Sequence, residues 1–131
     1  MLDHIFLTVS DLERSIAFYE KILAVIGIEN RLDYDGKDGP ADHPDLKGFG
    51  ANGRVFFWLR QGNAAPEAVH VGFVANSEED VRAVYAAALE AGAKSRIAPG
   101  YLDYYDPRYY VAQIFDLDGY SIEFVFKPWQ H

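Results

Sequence analysis

"HIFLTVSDLERSIAFYEKIL", residues 4–23, returns 66 residues later as "HVGFVANSEEDVRAVYAAAL", residues 70–89. Laid over each other, His4 falls on His70, Tyr19 on Tyr85 and Leu23 on Leu89. Each copy opens as an apolar, strand-like run and passes into residues spaced for one face of a helix. A period this long, occurring only twice, is one supersecondary unit and its copy rather than a solenoid. Working outward, alternation and apolar runs predict strands near 2–9, 54–61, 68–75, 109–116 and 120–127. The first helix is expected to start at Ser10, with Glu13 completing a capping box, to bury Leu12, Ile16, Tyr19 and Leu23, and to end at Gly27. The second starts at Asn76 or Ser77, buries Val81, Val84, Tyr85, Ala88 and Leu89, and ends at Gly92. "NG" at Asn52 and Gly53 and "DG" at Asp118 and Gly119 stand at matching places and favour tight hairpins. The Gly-, Pro- and Asp-rich segments 28–53 and 93–108 are each expected to hold one short strand and long loops. The chain reads as α+β: a βαβββ unit duplicated within a single domain over 1–131, with modules 1–66 and 67–131.

Composition narrows the function. The 131 residues are half hydrophobic and include no cysteine, so a core can form while disulfides and thiolate metal sites are excluded. A net charge of −8 argues against nucleic acid, whose binding depends on basic residues releasing counterions, and against anionic membrane surfaces. No basic segment precedes the first apolar run, which is too short to span a bilayer; a cytoplasmic protein with a small-molecule ligand is the expectation. Within that frame His4 stands out. On an apolar strand it is either a core histidine with a hydrogen-bond partner or a metal ligand.

With the repeat, the run "FDLDGYSIEFV" at 115–125 makes the chain resemble the vicinal oxygen chelate superfamily, which includes glyoxalase I, extradiol dioxygenases, and bleomycin- and fosfomycin-resistance proteins. The stretch from Asp116 to Glu123 is the most specific part. The resemblance implies two βαβββ modules whose curved mixed sheets surround a cleft. It also implies a divalent metal held there by His4, His70 and Glu123. Glyoxalase I takes a fourth ligand from the last strand of the first module, here "RVFFWLRQ" at 54–61. The repeat puts Phe57 there and a one-residue slip puts Trp58 there. Neither binds a metal, so both are assigned to the substrate pocket and glyoxalase I activity is not expected. Two histidines and a carboxylate leave open positions on iron(II); zinc, nickel or manganese suit the same donors. The resemblance further implies a homodimer, in which His4 meets the other two ligands either within one chain or across the interface.

Simpler roles compete with these. A lone histidine on an apolar strand is usually structural, but two at equivalent positions plus a carboxylate inside "YSIEFVF" form a stronger pattern, because an unpaired carboxylate facing a core is costly. The stretch "YLDYYDPRYY" at 101–110 crowds five tyrosines together. Tyr104, Tyr105 and Tyr109 are candidate catalytic phenols on a lid over an aromatic substrate, or simply tyrosines packing their own loop. By alternation one of Tyr109 and Tyr110 faces the cleft. His43 is a candidate substrate contact from a long loop, or a solvated histidine; His131 is terminal. Two functions remain open. One is a metal-dependent lyase, isomerase or dioxygenase that chelates adjacent oxygens of a small, aromatic substrate. The other is a metal-free module of the bleomycin-resistance type that sequesters an aromatic drug or metabolite.

Overall fold

Strand, helix and three strands follow one another twice in a computed structural model that describes residues 1–129. The first module comprises β1 (Ile5–Val9), α1 (Leu12–Val25), β2 (Asn30–Tyr34), β3 (Leu46–Ala51) and β4 (Arg54–Gln61). The second comprises β5 (His70–Val74), α2 (Glu78–Glu90), β6 (Lys94–Tyr101), β7 (Tyr110–Phe115) and β8 (Ser121–Phe126). Each module is a four-stranded mixed sheet, in the orders β1-β4-β3-β2 and β5-β8-β7-β6, with the first strand parallel to the last. Alternation decides which face is covered. In β5, Val71 and Phe73 are buried while His70 and Gly72 are exposed. The buried faces meet Phe18, Tyr19, Ile22 and Leu23 of α1 and Val81, Val84 and Ala88 of α2 in a shared core. Phe57 and Phe73 touch edge to face across the modules, their centroids 5.1 Å apart.

Several local expectations need correcting. Segment 28–53 holds two strands, β2 and β3, rather than one. The cap of α1 is Asp11, whose carboxylate accepts from the Arg14 amide. The Ser10 hydroxyl donates instead to Asp118, far along the chain, so a tertiary partner outcompetes the local capping box. Ser77 caps α2 as expected. Asn52 and Gly53 both have positive φ, 54° and 75°, and turn the β3–β4 hairpin tightly. Asp118 and Gly119 lie in a longer connection wound around Asp116, whose Oδ1 accepts from the amides of Asp118 and Tyr120 at 2.9 Å.

That connection clasps the modules together. The Tyr19 hydroxyl on α1 donates to Asp116 Oδ2 at 2.5 Å, and the Tyr120 hydroxyl donates to the Thr8 carbonyl of β1 at 2.5 Å. Burial, and then the charge of Asp116, push the Tyr19 phenol well above its ordinary value. Burial likewise raises the Asp116 carboxyl, opposed by the hydrogen bond from Tyr19. The charged form is tolerated there because three donors surround it.

Candidate functional site

The open face of the second sheet gathers polar groups around Glu123. Gly72 pairs with Glu123 in the β5–β8 ladder, and His70 with Ser121. The His70 Nε2 lies 2.9 Å from Glu123 Oε2, and its Nδ1 lies 2.7 Å from Ser121 Oγ. Gln113 on β7 donates its amide to Glu123 Oε2 at 2.9 Å, and the Tyr109 hydroxyl donates to Oε1 at 2.5 Å. The His70 side chain is 45% exposed and that of Glu123 only 9%, so a reachable imidazole stands over a desolvated carboxylate. Burial, and then the hydrogen bond to Glu123, raise the Tyr109 phenol above its ordinary value. At neutral pH it is a hydrogen-bond donor and not a base.

His70 and Glu123 form the common wall of two open basins. One, about 700 Å³, is bounded by Arg96, Tyr104, Tyr105, Phe115 and the 66–69 segment. The other, about 520 Å³, is bounded by Tyr105, Tyr109, Lys127 and Trp129. Tyr104 and Tyr105 are exposed, with ring centroids 4.5 Å apart, and Tyr105 meets Tyr109 at 5.4 Å. The tyrosine loop is a folded tip: the Leu102 amide bonds the Tyr109 carbonyl, and Asp106 pairs with Arg108 at 3.1 Å.

The other expected site residues lie elsewhere. His4 is exposed, held by Asp3 at 2.5 Å and edge-on to Phe6, and it does not join His70 and Glu123 within the chain. Among the described residues no three His, Asp or Glu side chains gather as a metal-binding group. Phe57 is 1% exposed and packs in the core; it borders neither basin, but lines a smaller pocket of about 330 Å³ with Leu2, Arg54, His70 and Gly72. Tyr110 is also core, with its hydroxyl accepting from Arg82 of α2 at 3.2 Å, so strand parity gives the site Tyr109 alone. Trp58 is on the open face of the first sheet, stacked with Phe6 at 6.3 Å. His43 turns toward Tyr34, ring centroids 5.0 Å apart, with Nδ1 2.8 Å from the Pro44 carbonyl oxygen. His131 lies outside the described residues. Sequence reasoning missed Ser121, Gln113 and Arg96. Ser121 had a signal, since it precedes Glu123 by two residues and shares its face.

The register settles the counterpart of Glu123. Phe6 pairs with Trp58 as Gly72 pairs with Glu123, so Trp58 occupies the equivalent place. A model of the glyoxalase/bleomycin resistance protein/dioxygenase superfamily matches residues 1–124. The chain belongs to this superfamily. A solved glyoxalase/bleomycin resistance protein from Albidiferax ferrireducens T118 is similar to it over 98% of this chain and 99% of that one, at 25% identity and a TM-score of 0.79. Two fosfomycin resistance proteins named FosX share the fold. The one from Mesorhizobium loti is 18% identical with a TM-score of 0.68, over 98% of this chain and 93% of its own. The one from Listeria monocytogenes, in a structure with Mn(II) and sulfate, is 20% identical with a TM-score of 0.70 over the same shares. No curated protein matches the chain. In this superfamily member the Asp116–Tyr120 run is the intermodule clasp. No helix among the described residues is long and apolar enough to cross a membrane.

Proposed function

We propose that this superfamily member is a metal-dependent enzyme acting on adjacent oxygens of a small substrate. We further propose that its site is completed in a homodimer by His4 of one chain beside His70 and Glu123 of the other. The observation that carries this reading is the 2.9 Å approach of His70 Nε2 and Glu123 Oε2 on a reachable cleft wall. Two donors about 2.1 Å from one ion and at right angles lie about 3.0 Å apart, so the pair fits a divalent cation. Ser121 beside Nδ1 supplies the outer partner that metal-binding histidines ordinarily have. A relative of the same fold, FosX of Listeria monocytogenes, is known with Mn(II). Iron(II), zinc and nickel suit the same donors.

A bound cation would polarise the substrate's adjacent oxygens and stabilise negative charge developing on them. The chain's own residues orient the reaction. Tyr109, held protonated, donates toward the carboxylate and keeps it in place. Tyr104 and Tyr105 offer ring faces to a planar substrate at the cleft rim. No carboxylate stands at Trp58, so a second acidic group for carbon-proton abstraction is missing from the first sheet.

The test is complementation. His4→Ala and Glu123→Ala chains should each lose divalent-metal binding by calorimetry. Unfolded together and refolded, they should regain one intact site per mixed dimer. Recovery of no site would refute the shared arrangement. Aromatic-ligand binding that ignores both substitutions and chelator would favour the metal-free sequestration module instead.

A further inference from the structure

We infer that Arg96 is a positioning residue that holds the Gln113 amide and the Ser121 hydroxyl, and through them Glu123 and His70, from outside the reacting pair. This deepens the reading above, since it rests on His70 and Glu123 being the functional pair. The Arg96 Nη1 donates to Gln113 Oε1 at 2.8 Å and to Ser121 Oγ at 2.8 Å. Each recipient hands the interaction on. Gln113 Nε2 donates to Glu123 Oε2 at 2.9 Å, and the Ser121 hydroxyl faces His70 Nδ1 at 2.7 Å. His70 Nε2 closes the ring on the same Oε2. One nitrogen therefore controls both branches.

Donor and acceptor chemistry gives the ring a direction. A guanidinium only donates and a carboxylate only accepts. With Ser121 Oγ accepting from Arg96, its own proton is free to point at Nδ1. His70 then carries its proton on Nε2 and gives it to Glu123. The Gln113 amide is oriented the same way, because its oxygen must face Arg96. Loading Nε2 with a cation requires the imidazole proton to move to Nδ1, where Ser121 Oγ, still bonded to Arg96, can accept it. Ser121 thus serves both tautomers by turning one hydroxyl.

The backbone supports this assignment. In the β6–β7 ladder Ser95 pairs with Ile114 and Ile97 with Gln113, which leaves Arg96 as the extra residue of a bulge. A bulge re-aims a side chain that regular pleating would send elsewhere. Here Ser95 bonds Tyr85 of α2 while Arg96 and the next residue, Ile97, both reach the cleft. The guanidinium is further seated 5.8 Å from the Phe115 ring centroid.

The experiment reads the Gln113 side-chain amide by NMR on metal-free protein. Wild type should show its protons shifted downfield and slow to exchange, held by Glu123. Arg96→Met, which keeps length but donates nothing, frees the Gln113 oxygen and should lose that signature. Arg96→Lys should restore it, since both bonds come from one nitrogen. Ser121→Ala cuts only the other branch and should leave it in place. Zinc binding should weaken about 10- to 100-fold in Arg96→Met. A Gln113 amide signature unchanged in Arg96→Met, or lost in Ser121→Ala, would overturn the inference. The amide is read without metal, so this result stands apart from the fate of the metal reading.

Discussion

Replacing Asp116 by alanine tests whether the turn after β7 clasps the two modules. The carboxylate is 7% exposed and accepts three hydrogen bonds, from the Tyr19 hydroxyl and the amides of Asp118 and Tyr120. Alanine leaves the Tyr19 hydroxyl, which is wholly buried, and the Tyr120 amide without partners. Each orphan costs about 1–3 kcal/mol. The Asp118 amide sits nearer water and adds little. The expected loss is therefore about 4 kcal/mol, a large part of the ~5–15 kcal/mol that holds a domain of this size. Asp116→Asn keeps an oxygen for the backbone amides and an amide group that Tyr19 can accept from, so its cost should be about 1 kcal/mol. Tyr19→Phe combined with Asp116→Ala should cost less than the sum of the singles, because both remove the same bond. Urea unfolding of the four variants measures this. An Asp116→Ala loss below about 1 kcal/mol, or additive singles, would refute the clasp.

Wild-type protein loaded with nickel, zinc or iron(II) should show little or no glyoxalase turnover on the methylglyoxal–glutathione hemithioacetal, since a positioned base is worth about 10²- to 10⁴-fold and Trp58 supplies none; robust turnover lost in Glu123→Ala would contradict this. Gly72 has nothing within 4 Å of where a Cβ would stand, so Gly72→Phe should fold with unchanged or slightly higher stability while covering Glu123 and blocking metal binding. Because burial raises the Asp116 carboxyl above its ordinary 3.8, its contribution to stability is full in acid below that value and is lost as pH rises through the folded value; in Asp116→Asn this part of the pH dependence of urea unfolding should vanish. The Tyr109 phenol is raised above its ordinary 10.0, so its contribution is intact below that pH and lost only in stronger alkali; Tyr109→Phe should remove one late-titrating phenol from an ultraviolet pH titration.

Much of the fold was legible because the repeat is written in the residues that make the core. The strand at 54–61 lies where alternation put it, and both helices end at glycines with positive φ, Gly27 at 80° and Gly92 at 107°. Errors came where a distant partner overrode local chemistry. Ser10 looks like a cap until Asp118 comes within reach, and "DG" looks like a two-residue hairpin until Asp116 winds the turn around itself. The strand β3 was obscured by "KGFG", whose glycines weaken the strand signal. Gly50 is needed there, because a Cβ would stand 1.7 Å from the Arg54 carbonyl oxygen. At the site, His4, His70 and Glu123 were named from the family resemblance; His70 and Glu123 lie 2.9 Å apart, while His4 is held by Asp3 away from them within the chain. Arg96 was not named, because a bulge breaks the parity on which such readings depend.

The duplication also explains why only one sheet carries the polar cluster. The two modules share strand order and the parallel pairing of first and last strands, so their central positions correspond. What differs is the pair at the centre of each open face: Phe6 with Trp58 in the first, Gly72 with Glu123 in the second. Two stacked rings close the first face over themselves. A glycine beside a carboxylate leaves the second face open, and the carboxylate is stable there because Gln113, Tyr109 and His70 each give it a partner. On the proposed reading neither face holds a metal alone. The first offers His4 and an aromatic wall without an acid, and the second offers an acid and one histidine. A homodimer that set the first face of one chain against the second of the other would supply both sets at once. The clasp from Asp116 to Tyr120 bears on this pairing, because it fixes how the two faces of one chain are turned relative to each other. Loosening it should therefore weaken metal binding along with stability, even though none of its residues touches the cleft pair.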